Sequence, residues 1–164
     1  MNKPLNVLVV ILSMVMTTSV FAQDFEKGRR AIGDGDYATA FKEWKWLADG
    51  GLAIAQYNLG LMYEYGQNGG GFAKNYKEAI IWYRKAAEQG FAKAQTTLGT
   101  MYERGDGDIQ DNVYSHMWFN LAASNGDELG VKFRDELAKK MTAVDLSKAQ
   151  ELARECMKKQ FKGC

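Results

Sequence analysis

Histidine and cysteine are scarce in this chain of 164 residues, and proline is nearly missing. A single histidine, His116, rules out two-histidine metal motifs such as H-E-x-x-H. The one proline, Pro4, sits near the N-terminus, so nothing further along breaks a helix. The turns must come from the 17 glycines instead. Charge of one sign is also lacking, with 21 Lys and Arg against 20 Asp and Glu. A general nucleic-acid or anionic-membrane surface needs a concentrated positive field, so neither partner is expected. No S-x-x-K, G-x-S-x-G or C-x-x-C occurs, which removes support for acyl-serine and dithiol chemistry. The glycine clusters lack a P-loop lysine and follow no strand. No cofactor, metal or catalytic group is expected.

What is present begins with Lys3, followed by an apolar run from Val7 to Met16 interrupted only by Ser13, and then Val20-Phe21-Ala22. A basic start, an apolar middle and a small residue at the end read as a signal peptide over residues 1–22, cleaved after Ala22. The run is shorter than the roughly 20 residues that span a bilayer, so no membrane insertion is expected once the signal is removed. No cysteine follows the cleavage site to carry a lipid. The expected location is therefore the periplasm or the exterior. Removal of residues 1–22 leaves 142, one domain over 23–164 with a sizeable core.

Within that domain the chain repeats itself. Ala53-Ile54-Ala55-Gln56-Tyr57-Asn58-Leu59-Gly60-Leu61-Met62-Tyr63 recurs 39 residues later as Ala92-Lys93-Ala94-Gln95-Thr96-Thr97-Leu98-Gly99-Thr100-Met101-Tyr102. A second half, Trp82-Tyr83-Arg84-Lys85-Ala86-Ala87-Glu88-Gln89-Gly90, returns after 36 residues as Trp118-Phe119-Asn120-Leu121-Ala122-Ala123-Ser124-Asn125-Gly126. The difference falls in the loop around Gly69-Gly70-Gly71, where extra residues cost little. Both halves read as helices. Ala55, Leu59, Met62 and Tyr63 share one side of the first, and Gly60 lets a neighbouring helix come close. Ala79, Trp82, Tyr83, Ala86 and Ala87 form the stripe of the second. Asn75 and Asp111 stand at N-cap positions, and Gly90 ends a helix.

The units so defined span 52–90 and 91–126. Residues 24–51 look like a degenerate earlier pair, in which Ala40, Trp44, Leu47, Ala48 and Gly51 keep the spacing of Ala79, Tyr83, Ala86, Ala87 and Gly90. Residues 127–164 read as a capping pair: a helix from Asp127 to Met141, a capping-box start at Thr142 with Asp145, and a last helix running to Phe161. Its face of Leu146, Ala149, Leu152, Ala153 and Cys156 is expected to close the stack. The tryptophans and their aromatic neighbours recur at structural positions and belong to the core. Trp46 falls off the spacing and is read as a surface residue.

The order A-x-A-x-x-x-L-G-x-M-Y-x-x-G, then Asp or Asn, then W-[YF]-x-x-A-A-x-x-G, resembles the Sel1-like repeat. The match covers Ala53 to Gly126 well and Asp24 to Gly51 more loosely. The resemblance implies an all-α fold, a tetratricopeptide-like α/α superhelical solenoid of about four helix pairs. It further implies a protein-interaction scaffold, in some exported members tied to cell-envelope assembly. Some cysteine-rich relatives are linked to β-lactams, which leaves a cell-wall hydrolase or β-lactam-binding protein as the second reading. Family membership fixes the fold better than the activity.

Cys156 and Cys164 are the only cysteines. Continuous helix would set them about 12 Å apart, beyond the roughly 7 Å that a bridge tolerates. A disulfide therefore requires the helix to stop after Phe161, with Gly163 turning the chain back; the alternative is two free thiols at a frayed end. His116 stands where the previous unit has Ile80 and reads as a partly exposed helix residue. Asp106-Gly107-Asp108-Ile109-Gln110-Asp111 gathers three carboxylates but lacks the glycine placement and distal glutamate of an EF-hand.

The resemblance also implies that first helices line the inner, concave side. There the first full unit presents Ile54, Tyr57, Asn58, Leu61 and Tyr65, and the next presents Lys93, Thr96, Thr97, Thr100 and Arg104. An apolar patch beside a polar, partly basic one suits another protein or an extended peptide segment. The competing reading is that these residues pack between repeats. Tyr57→Ala with Leu61→Ala is expected to separate the two, by weakening capture without loss of helicity.

Overall fold

The computed structural model describes residues 22–66, 73–107 and 110–164. The signal segment apart from Ala22, the triple-glycine loop, and Asp108 with Ile109 lie outside the described residues. The described chain is helical throughout: α1 (22–33), α2 (Tyr37–Asp49), α3 (Ala53–Tyr65), α4 (Tyr76–Ala87), α5 (Ala92–Arg104), α6 (Asn112–Ser124), α7 (Glu128–Ala138) and α8 (Ala143–Lys158). Within a pair, α3 packs on α4 and α5 on α6; between pairs, α2 packs on α3, α4 on α5 and α6 on α7. That alternation is an α/α solenoid. The starts of its second helices are fixed by short polar side chains. Asp36 accepts from the Thr39 amide, Asn75 from that of Glu78, and Asp111 from those of Val113 and Tyr114.

The first three pairs are closed by the same device, a glycine on the first helix beneath an aromatic ring of the second. A Cβ on Gly60 would lie 2.5 Å from the Tyr83 ring, and one on Gly99 would lie 2.5 Å from the ring of Phe119. Gly28 stands in the same relation to Trp44. The degenerate first pair is therefore built like the others, with the Trp44 indole donating to the Phe25 carbonyl at 3.3 Å. What comes close to Gly60 is a ring, not a helix backbone.

Successive pairs are tied by a ladder of side-chain amides. Gln56 donates to the Ala48 carbonyl at 3.1 Å and accepts from Gln89 at 2.8 Å. One unit on, Gln95 donates to the Ala87 carbonyl at 3.0 Å and accepts from Asn125 at 2.9 Å. Buried amides must be paired, and these are paired across the joint between repeats. Val131 holds the next position, 36 residues after Gln95, so the ladder stops there.

The last two helices depart from the expected capping pair. Instead of closing on α7, α8 doubles back over the outer side of α6. The reason lies on α6. Met117 and Leu121 are buried, whereas Ile81 and Lys85 at the equivalent outer positions of α4 are exposed. Ala153 and Cys156, with Leu152 beside them, cover that apolar strip. Helix α8 also ends at Lys158, three residues before Phe161. The Gln160 amide donates to the Met157 carbonyl at 3.0 Å and the Phe161 amide to the Cys156 carbonyl at 2.9 Å, a Schellman close. Gln160 and Phe161 take positive φ there, 52° and 66°. The turn brings Cys156 and Cys164 to a Cα separation of 5.6 Å, and they form the disulfide. The bridged end is pinned to the body, with Phe161 against Gly90 and the Gly163 amide donating to Glu88.

Candidate functional site

On one side of the solenoid the first helices approach each other directly. Helix α5 touches α7, and the Tyr57 ring of α3 packs on Phe91 at the start of α5. This side carries the residues singled out in the repeat, but they divide into two groups. Tyr57 and Leu61 are half-buried against the larger core cluster, and the Tyr57 ring packs on Tyr83 and Phe91 with centroids at 5.5 and 5.3 Å. Burial accordingly raises the Tyr57 hydroxyl above its ordinary range. These two side chains hold α3 to α4 and α5, so removing both would disturb packing as well as any contact surface. Thr96 is buried as well. Thr97 and Thr100 are half-buried and spend their hydroxyl protons on the carbonyls of Lys93 and Thr96.

The second group is open. Tyr65 is 67% exposed and Ile54 39%, and Lys93 and Arg104 are exposed as well. Asn58 is half-buried between them. Ile54 also forms part of the wall of a cleft of about 520 Å³ at the α2–α3 turn, whose apolar lining includes Phe25, Leu47 and Leu52. Sequence reasoning missed this cleft, because it depends on how the degenerate α1 sits against the turn. It also missed the continuation onto α7. Leu129 and Phe133 stand 36 residues after Lys93 and Thr97, a spacing that could have found them. Leu129 is 54% exposed, while Phe133 packs on Phe119.

Beside this side the Tyr83 hydroxyl donates to Glu64 at 2.6 Å. Burial, reinforced by the Glu64 carboxylate, pushes that hydroxyl far above its usual range, so it stays a donor. The residues named on this side include no histidine, cysteine or serine. Among the described residues no three His, Cys, Asp or Glu side chains gather as metal ligands, and no helix is long and apolar enough to cross a membrane.

The family model for the Sel1 repeat matches residues 53–91 and 92–127. A Sel1 repeat protein from Oxalobacter formigenes is similar over 78% of this chain and 97% of its own, with 33% identity and a TM-score of 0.64. The chain belongs to the Sel1 repeat family. A second Sel1-type structure, c5321, described as a protective antigen present in uropathogenic Escherichia coli strains and displaying an SLR fold, matches with 30% identity and a TM-score of 0.77. That match covers 86% of this chain but only 31% of the other, so this chain spans about a third of that protein's length. No curated protein sequence matches significantly.

Sel1 repeats generally mediate protein binding and are non-catalytic. The one histidine of this Sel1 protein, expected to be partly exposed, is buried at 2% exposure. It lies beneath α7, and burial first, then Arg134, lowers its pKa. The imidazole is therefore neutral in the fold, while the unfolded chain takes up a proton below about pH 6.5. The stability this group contributes is complete above that pH and declines as the pH falls below it. The urea midpoint is expected to drop between about pH 7.5 and about pH 5.5, and His116→Phe should shrink the drop. An equal drop in the variant would assign the effect to other groups.

Proposed function

We propose that this Sel1 repeat protein acts outside the cytoplasm as an interaction scaffold. It holds a segment of another protein against the inner side of α3, α5 and α7 and performs no chemistry of its own. The observation that carries the reading is the exposure of Ile54 and Tyr65 on a side where neighbouring first helices meet. Large apolar side chains left open together mark contact surfaces. The polar side chains of α5 continue the same wall, as the rim of an interface does. Export is supported by the character of residues 1–22 and by the Cys156–Cys164 bridge, since disulfides persist in oxidising compartments. A role in assembling or regulating envelope or secreted proteins follows from that location.

Ile54→Ala with Tyr65→Ala tests the reading better than the Tyr57 and Leu61 pair, because both side chains are exposed. The double variant is expected to keep its helicity by circular dichroism. It should lose on the order of tenfold in affinity for the protein that the unmodified chain retains from the native envelope fraction. Unchanged affinity would place the contact elsewhere on the molecule.

A further inference from the structure

The unpaired charges on the α5 wall share one sign. Lys93 and Arg104 stand at the two ends of the α5 wall, both exposed, and among the described residues neither forms an ion pair. The carboxylates beside them are engaged. Glu64 accepts the Tyr83 hydroxyl, and Glu103 lies 3.6 Å from Lys140. On α7, Lys132 and Glu136 are both exposed, so the excess of unpaired cations is confined to α5. The α3 wall is different: Ile54, Leu61 and Tyr65 present no charge, and at Ile54 it opens into the cleft lined by Phe25, Leu47 and Leu52.

From this we infer that the occupant is an extended polypeptide segment with acidic residues over α5 and a bulky apolar residue seated in the cleft at the α2–α3 turn. The inference rests on the inner side being the contact surface. Two unpaired cations attract a carboxylate-bearing segment and repel a basic one, which fixes both partner choice and register. The cleft supplies what charge alone does not, an apolar seat for one large side chain. The mature chain has balanced charge, so the preference belongs to this side and not to the protein as a whole.

The test uses the full mature chain and a displayed library of random short peptides, selected at low ionic strength. The expected pool is enriched in Asp and Glu over Lys and Arg and carries a recurrent aromatic or leucine. A peptide made from that pool should lose on the order of tenfold in affinity to Lys93→Glu with Arg104→Glu, and to Ile54→Asp alone. It should also weaken as salt is added. Because these side chains are exposed, all three substitutions leave the core intact. A pool without acidic excess, or one indifferent to the charge reversal, overturns the inference. If such a pool still loses binding in the Ile54 and Tyr65 alanine variant, the inner-side reading survives while the acidic partner falls. Selection of nothing, or of peptides indifferent to both sets of substitutions, overturns both.

Discussion

Gly99→Leu is expected to cost the fold about 2–3 kcal/mol. The new side chain starts 2.5 Å from a ring that is itself fully buried, so Phe119 must leave its seat. Displacing a buried aromatic forfeits about 3 kcal/mol or more, of which leucine returns about 1 through its better helix propensity. Neither helix can simply move away. Helix α5 is held by α4 and α6, and α6 is held by α5, α7 and α8. Gly28→Leu makes the same intrusion under Trp44 and should cost about 1 kcal/mol less. It belongs to the first pair, where Trp44 retains 7% exposure and so has solvent on one side to move into. Urea unfolding of both variants gives the comparison: the midpoint should fall further for Gly99, with the slope unchanged. If Gly99→Leu costs no more than Gly28→Leu, the ring-on-glycine seat is not what closes the central pair.

Why this much could be read from the sequence is a matter of repetition. Two units at fixed offsets expose every position twice, so Leu59 and Leu98, Tyr83 and Phe119, or Asn75 and Asp111 each identify the other as core, ring or cap. The disulfide was legible too, because a cysteine pair at this spacing closes only around a turn. What escaped were contacts that occur once. Helix α8 shows an apolar face in Ala149, Ala153 and Cys156, but periodicity says only that the face is covered, not by what. The clue was on the other partner, in Met117 and Leu121 at positions where the preceding unit has Ile81 and Lys85. His116 was misjudged too: its counterpart Ile80 is half-buried and His116 fully buried, although α5 packs on α4 as α7 packs on α6, a difference the register between units does not carry. The turn at Gln160 and Phe161 lacks the glycine that usually marks a left-handed close, so nothing local announced it.

The division of the inner-side residues has the same origin. Helical spacing puts Ile54, Tyr57, Leu61 and Tyr65 on one side. Whether each lies open depends on where α4 and α5 stand relative to α3. Tyr57 turns towards Tyr83 and Phe91, and Tyr65 does not. The amide ladder was in plain view as Gln56 and Gln95, yet its partners are eight residues back and 33 or 30 ahead, distances that no local pattern reports.

All-or-none behaviour is expected when a photoreactive amino acid is placed at single exposed positions and the native cell is irradiated. At Tyr65 and Arg104, on the inner side, one discrete crosslinked protein should appear, because a bound segment passes within reach of both. At Ile81 and Val144, also exposed but on other surfaces, that band should be missing. The comparison holds chemistry, expression and compartment constant and varies only the side of the solenoid. It reads contact directly and without any change in stability. The account predicts the same trapped protein from both inner positions and none from the other two. Trapping from Ile81 or Val144 alone, or equally from all four, would contradict it.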